Sequence, residues 1–88
     1  MTIEEVVNRA VVLRQTIEIE YCTRSGNVYS FHINNIEYSR SYGAMYIEAF
    51  CLKVETNRTF KISRILKVNG HSFSRIFWNQ IGDNFNVI

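Results

Sequence analysis

Residues 44–68, AMYIEAFCLKVETNRTFKISRILKV, decide the fold because they carry the pattern of a β-hairpin. Side chains along a strand point alternately to two faces, so a period of two residues indicates a strand with one buried face. The first strand alternates between two sets: Met45, Ile47, Ala49 and Cys51, and Ala44, Tyr46, Glu48 and Phe50. A turn with a polar tip is predicted at residues 54–57, and Arg58, Phe60 and Ile62 then alternate with Thr59, Lys61 and Ser63 in the return strand.

Four side chains of this hairpin predict an anion-binding surface: Tyr46, Arg58, Lys61 and Arg64. A guanidinium group binds phosphate through two parallel hydrogen bonds, and a nearby tyrosine can stack on a base or donate a hydrogen bond. In the competing, structural interpretation, Arg64 pairs with Glu48 or caps backbone carbonyls at the rim of the core. The residues alone leave both interpretations open.

The loop at residues 39–43 offers further polar and aromatic candidates. Arg40 and Tyr42, with the preceding Tyr38, would widen a stacking surface if the loop lies beside Tyr46, and would otherwise serve packing. The dispersed arginines are predicted to be solvated: Arg9, Arg14, Arg24 and, in the alternative to a stacking role, Arg40.

The N-terminus predicts a helix. Thr2 and Glu5 have the spacing of a capping box, in which each side chain accepts a hydrogen bond from the other residue's backbone N–H. The residues that follow place an apolar stripe at helical spacing: Ile3, Val7, Ala10 and Val11. We expect this helix to end near Gln15 and to close one end of a barrel.

Alternation predicts the remaining strands. Ile17, Ile19 and Tyr21 alternate with glutamates, and a turn with Gly26 at positive φ follows. The next strand extends to Tyr38 through a bulge at residues 34–35, and residues 66–68 supply a fifth strand. One helix and five antiparallel strands indicate a mainly β fold, a small barrel. The predicted barrel core comprises Ile17, Ile19, Tyr21, Phe31, Ile33, Met45, Ile47, Phe60 and Ile62.

Composition bounds the class of protein. With 88 residues and 47% hydrophobic content, the chain predicts a single domain, 1–88, with a helix and barrel at 1–68 and a C-terminal extension at 69–88. A net charge of +2 is too small to imply nucleic-acid binding by itself. Cys22 and Cys51 lack metal-site spacing and are predicted to be free thiols, and no segment resembles a signal peptide or a membrane span. We therefore expect a cytoplasmic protein without a membrane partner.

Enzyme classes find little support. His32 and His71 have no nucleophile or carboxylate at a known motif spacing, and Glu18 and Glu20 fit an exposed strand face better than a catalytic pair. The chain lacks phosphate-binding glycine loops and metal-ligand spacing, so no cofactor and no metal are predicted.

The tail is rich in apolar residues. Phe73, Ile76, Phe77 and Ile81 have the spacing of a short amphipathic helix over residues 72–81, and residues 83–88 alternate like an edge strand. Together with Trp78, this surface predicts self-association, with a dimer favoured, or an intramolecular cover.

The hairpin also resembles the WYL domain, a module of bacteria and their phages. RTFKISRI at residues 58–65 is similar to the family segment Arg-x-Phe-Arg-Leu-Asp-Arg-Ile, TIEIEY at residues 16–21 is similar to its opening strand, and Met45-Tyr46-Ile47 would replace its Trp-Tyr-Leu triplet. Met45, Asn35 and Ser63 depart from the family's Trp, Pro and Asp. The resemblance covers residues 3–68 and implies a Sm-like or SH3-like barrel.

The resemblance also implies a function. In the WYL family the positions matching Tyr46, Arg58 and Arg64 line a pocket implicated in binding nucleic acid or nucleotide effectors, usually behind a DNA-binding domain of a transcription regulator. We expect a standalone ligand-binding module that takes single-stranded nucleic acid or a nucleotide effector, or regulates a partner protein. The alternative is a structural protein that oligomerises through its barrel edges.

Overall fold

The computed structural model describes residues 1–74, which form one helix and five antiparallel strands. The helix α1 spans Ile3–Val12, and strands β1 to β5 span Ile17–Cys22, Val28–Ser39, Gly43–Cys51, Thr56–Lys61 and Ile65–Val68. One turn of 3-10 helix, Ile62–Arg64, joins β4 to β5. The sheet order β4-β3-β2-β1-β5 confirms the mainly β fold, and the barrel is open, since no ladder joins the edge strands β4 and β5 within residues 1–74.

Helix α1 begins at the predicted capping box. The Glu5 N–H donates to Thr2 Oγ1 at 3.2 Å, and the Thr2 N–H donates to Glu5 Oε1 at 2.9 Å. The bond from the Thr2 backbone lowers the pKa of the Glu5 carboxyl because it stabilises the charged form. The predicted stripe is buried at Ile3, Val7 and Ala10. The helix ends at Val12, before the predicted Gln15.

Strand β2 pairs with both of its neighbours because it bends at the predicted bulge. Its first half lies beside β1, with Ile33 opposite Ile17, and its second half lies beside β3, with Tyr38 opposite Ile47. Between the two halves the register shifts, and Asn35 adopts a left-handed φ of 51°. A bulge bends a strand and increases its twist, so the sheet curls around one core.

The β3–β4 hairpin exists, but its turn was predicted too late in the chain. β3 ends at Cys51 and β4 begins at Thr56, so residues 52–55 form the turn, closed by the Glu55 N–H donating to the Cys51 carbonyl at 2.8 Å. Glu55 takes a left-handed φ of 56° there. β4 also ends earlier than predicted, because Ile62 lies in the 3-10 turn, where it is nonetheless buried.

Most of the predicted core is confirmed. The buried members are Ile17, Ile19, Phe31, Ile33, Ile47, Phe60 and Ile62, and the core also contains Ile36, Ala49, Cys51, Ile65 and Val68. Tyr21 is half-buried and packs against this core. Met45 was assigned wrongly: it is 40% exposed, because β4 ends at Lys61 opposite Tyr46 and offers Met45 no neighbour on that side.

Two further sequence predictions concern the cysteines and the C-terminal tail. Both cysteines are free, with Cys51 buried and Cys22 half-buried. Residues 72–74 are not helical, since Ser74 forms a parallel bridge with Thr2; the rest of the predicted tail helix and the strand at 83–88 lie outside the described residues. In the part of the chain that is described, no helix has the length and apolar character needed to cross a membrane.

Phe60→Ala should lower the free energy of unfolding by about 3–5 kcal/mol, measured by urea denaturation. Phe60 is 2% exposed, and its ring lies 5.1 Å from the Tyr21 ring and 5.7 Å from the Phe31 ring, so truncation leaves a cavity beside these two aromatic rings. The exposed neighbour Thr59 provides a control, for which Thr59→Ala should change stability by less than about 0.5 kcal/mol. A loss below about 1 kcal/mol for Phe60→Ala would contradict this packing.

Candidate anion-binding surface of the hairpin

Tyr46 and Lys61 lie on the outer face of the β3–β4 hairpin, where the ladder places them directly opposite one another. The Lys61 ammonium nitrogen is 5.9 Å from the centre of the Tyr46 ring, within the range of a cation–π contact. Both side chains are half-buried. Two of the four predicted site residues are therefore in direct contact.

The loop before β3 brings Tyr42 to the same place. The Tyr42 and Tyr46 ring centres are 5.5 Å apart with an interplanar angle of 48°, and Tyr42 is 66% exposed. Tyr42, Tyr46 and Lys61 are hereafter called the tyrosine platform. The structure thus places Tyr42 beside Tyr46, and the stacking role of these rings stays a prediction.

Ser39 and Glu48 hold the loop that carries Tyr42. The Ser39 hydroxyl donates to Glu48 Oε2 at 2.7 Å and accepts from the Tyr42 N–H at 3.0 Å. Ser39 is only 5% exposed, so water competes little for these bonds. The loop geometry is thus set by a polar network that involves no arginine.

Arg64 is anchored to the backbone. Its Nη1 donates to the Thr23 carbonyl at 3.2 Å, in the turn between β1 and β2. Of the two structural alternatives the structure shows carbonyl capping, while Glu48 is engaged by Ser39. A guanidinium has five N–H donors, so Arg64 keeps donors that bond to no described residue. Capping and ligand binding are therefore compatible for this side chain.

Tyr21 positions the end of β4 that carries Lys61. Its phenolic oxygen accepts a hydrogen bond from the Lys61 N–H at 2.9 Å. Its ring packs edge-on against Phe60 at 5.1 Å. The last residue of an edge strand is thereby bonded to β1 on the far side of the opening, which fixes the backbone beneath the tyrosine platform.

Arg58 does not share the face of the tyrosine platform. The ladder places it opposite Ala49, on the same side of the sheet as Ile47 and Phe60. The side chain is exposed on the edge strand and forms no hydrogen bond or ion pair with a described residue. The predicted surface of four residues is therefore divided, with Tyr46 and Lys61 on one face of the hairpin and Arg58 on the other.

Tyr38 is a structural residue, and its interpretation as part of a stacking surface is not supported. Its hydroxyl donates to Asn8 Oδ1 at 2.8 Å, which ties β2 to α1. Burial raises the pKa of this hydroxyl because the charged phenolate is disfavoured away from water.

The predicted exposed face of β1 is confirmed. Glu18 lies 3.7 Å from His32, and Glu20 lies 4.0 Å from Lys67, in cross-strand pairs open to solvent. These pairs engage both carboxylates of β1. In contrast, Arg24, Arg40, Arg58, Lys61 and Arg64 have no carboxylate within 4.0 Å among residues 1–74.

Sequence reasoning missed Lys53. Its ammonium nitrogen lies 5.4 Å from the Tyr29 ring centre and 5.7 Å from that of Phe31. The contact fastens the β3–β4 turn to β2. A prediction of the turn at residues 52–55 would have indicated this contact, because it places Lys53 in the turn, next to β2.

Comparison with known families gave one match. The model of the WYL domain matches residues 2–69, a range that contains α1, the five strands and all four predicted site residues. No curated protein and no solved structure matched the chain.

Arg64→Ala should lower the free energy of unfolding by about 0.5–1.5 kcal/mol, because it removes the hydrogen bond to the Thr23 carbonyl. Arg58→Ala should change it by less than about 0.5 kcal/mol, because Arg58 is exposed and forms no hydrogen bond or ion pair in the described part of the chain. Urea denaturation of both variants measures the difference. Equal effects would show that the Thr23 contact contributes nothing in solution.

Proposed function

Since this chain belongs to the WYL domain family, we propose that it is a regulatory module that binds single-stranded nucleic acid or a nucleotide-like anion. The observation that carries this proposal is the tyrosine platform, in which two adjoining aromatic rings lie beside an ammonium group. The module binds and regulates; it performs no catalysis, and it acts in the cytoplasm.

Aromatic rings are effective ligands for unpaired bases because every base has a face that can stack. Each stacked base contributes about 1–3 kcal/mol, with little dependence on its identity. Tyr42 offers the more accessible ring, and Tyr46 beneath it is held by Lys61. A base stacked on Tyr42 would bring its phosphate within the field of the Lys61 ammonium.

The cations that lack carboxylate partners supply the phosphate-binding part of the proposal. Lys61 and Arg64 are close in sequence, and their backbone is fixed by Tyr21 and by the 3-10 turn. Arg64 retains guanidinium donors in addition to the one that bonds Thr23. A strand crossing the edge of β4 would pass from the tyrosine platform to Arg58 on the other face.

The alternative function is an interaction module that oligomerises through a sheet edge. The observation in its favour is β4, an edge strand whose residues Thr56 to Thr59 are all exposed. A free strand edge is a template for pairing with another chain. Arg58 would then serve an interface, whereas the tyrosine platform would have no role in it.

The binding proposal is tested by fluorescence anisotropy with labelled single-stranded DNA and RNA oligonucleotides, and by competition with cyclic dinucleotides. Tyr42→Ala should weaken binding by about 1–3 kcal/mol, which is roughly 5- to 150-fold in Kd, and Lys61→Ala and Arg64→Ala should fall in the same range. The matched controls Tyr29→Ala and Lys67→Ala remove an exposed tyrosine and lysine elsewhere and should leave Kd unchanged.

Salt provides an independent measurement. If phosphates are contacted, the logarithm of the association constant should fall linearly with the logarithm of salt concentration, and Lys61→Ala should make that slope shallower. Parent protein that binds none of these ligands at low salt would reject the proposal. Binding that is lost equally in the platform variants and in the controls would place the site elsewhere.

A further inference from the structure

An open groove with apolar walls runs along α1. Val12 and Leu13 at the C-terminal end of the helix are 67% and 59% exposed, and Met1 at the other end is 60% exposed. Tyr38 also lines this groove, with its hydroxyl bonded to Asn8. These five residues, together with Glu4, Glu5 and Arg9, line the α1 groove. It lies on the side of α1 that the sheet does not cover, because the buried stripe of Ile3, Val7 and Ala10 already packs on the core.

The path of the chain leads to the α1 groove. After β5 the backbone reverses in a tight turn, in which Val68 and His71 exchange hydrogen bonds of 3.0 and 2.9 Å. The chain then returns to the start of α1, where the Ser74 carbonyl accepts from the Ile3 N–H at 2.8 Å. The bridge between Thr2 and Ser74 is parallel, so at Ser74 the backbone runs in the same direction as the chain that enters α1.

The composition of residues 75–88 fits an apolar groove. Half of them are large and apolar: Ile76, Phe77, Trp78, Ile81, Phe85, Val87 and Ile88. The segment also has one basic residue, Arg75, and one acidic residue, Asp83. Phe73, immediately before, already packs against the core. At the start of the groove, Glu4 and Glu5 in the first turn of α1 provide charges complementary to Arg75.

We propose that the α1 groove is the docking site for this chain's own residues 75–88. The segment begins at the end of the groove marked by Met1 and has 14 residues against the ten of α1, so it is long enough to reach Val12 and Leu13 even as a helix. The covalent connection at Ser74 makes this docking intramolecular, with an effective concentration in the millimolar range. Residues 75–88 of a second copy would have to reach a comparable concentration to displace the segment from the α1 groove.

Trp78 is the single tryptophan of the chain and reports directly on docking. In the folded full-length protein its fluorescence emission should lie at shorter wavelength than in the urea-unfolded protein. The double variant Val12→Lys/Leu13→Lys should shift the emission toward the unfolded position, because it places two charges in the groove. Lysine at the C-terminal end of a helix is favourable for the helix dipole, so α1 itself should remain folded by circular dichroism.

The matched control is Leu52→Lys/Val54→Lys, which charges two exposed apolar side chains in the β3–β4 turn and should leave the Trp78 emission unchanged. Leu13→Ser, at a residue that follows α1, repeats the test with a milder change and should shift the emission in the same direction. Trp78 emission that matches the unfolded chain in the parent, or that responds equally to both double variants, would overturn the proposal.

Dilution identifies the occupant of the groove. Intramolecular docking predicts the same Trp78 emission at all protein concentrations. Light scattering should then show either a monomer or an oligomer whose dissociation leaves the emission unchanged. Emission that moves toward the unfolded position as an oligomer dissociates would show that a second copy supplies the segment, and would overturn the intramolecular assignment.

Discussion

The hydrogen bond between the Tyr21 hydroxyl and the Lys61 backbone is the contact on which the rest of this small sheet depends. The edge strands β4 and β5 are linked in sequence only by one 3-10 turn, and β4 has β3 as its one strand neighbour in the described part of the chain. Tyr21 lies on β1 opposite Ile65 of β5, and it reaches across the opening to the end of β4. Its ring also packs on Phe60, so a polar and an apolar contact join the two sides of the open barrel at one point.

How far the fold follows from the sequence depends on whether the information is local. Alternation is a property of neighbouring residues, and it placed the buried faces of β1 and β2 correctly. The capping box is equally local, and it placed the start of α1 correctly. The β3–β4 turn was misplaced because Leu52 is apolar and extends the strand pattern, although it is exposed. Met45 illustrates the same limit, since its exposure is decided by where the partner strand ends.

The candidate site follows from the sequence only in part, for similar reasons. Lys61 meets Tyr46 because both belong to one hairpin, whose register a pattern can specify. Alternation already placed Arg58 on the face of Phe60, so grouping it with Tyr46 required more than the pattern supports. The position of Tyr42 depends on a hydrogen bond between Ser39 and Glu48, which belong to different strands. Contacts of this kind arise from tertiary structure and carry no local signal.

Arg64 shows why a structural role and a binding role need not exclude one another. A free arginine side chain carries about 2 kcal/mol of rotamer entropy, part of which is lost when it grips a ligand. The bond from Nη1 to the Thr23 carbonyl restricts the guanidinium beforehand and uses only one of its donors. Folding has therefore already ordered part of this side chain. A ligand that engages the remaining donors would cause a smaller further loss of side-chain entropy. Stability and affinity must therefore be measured separately for this residue, because a loss of binding in an Arg64 variant combines lost contacts with lost preorganisation.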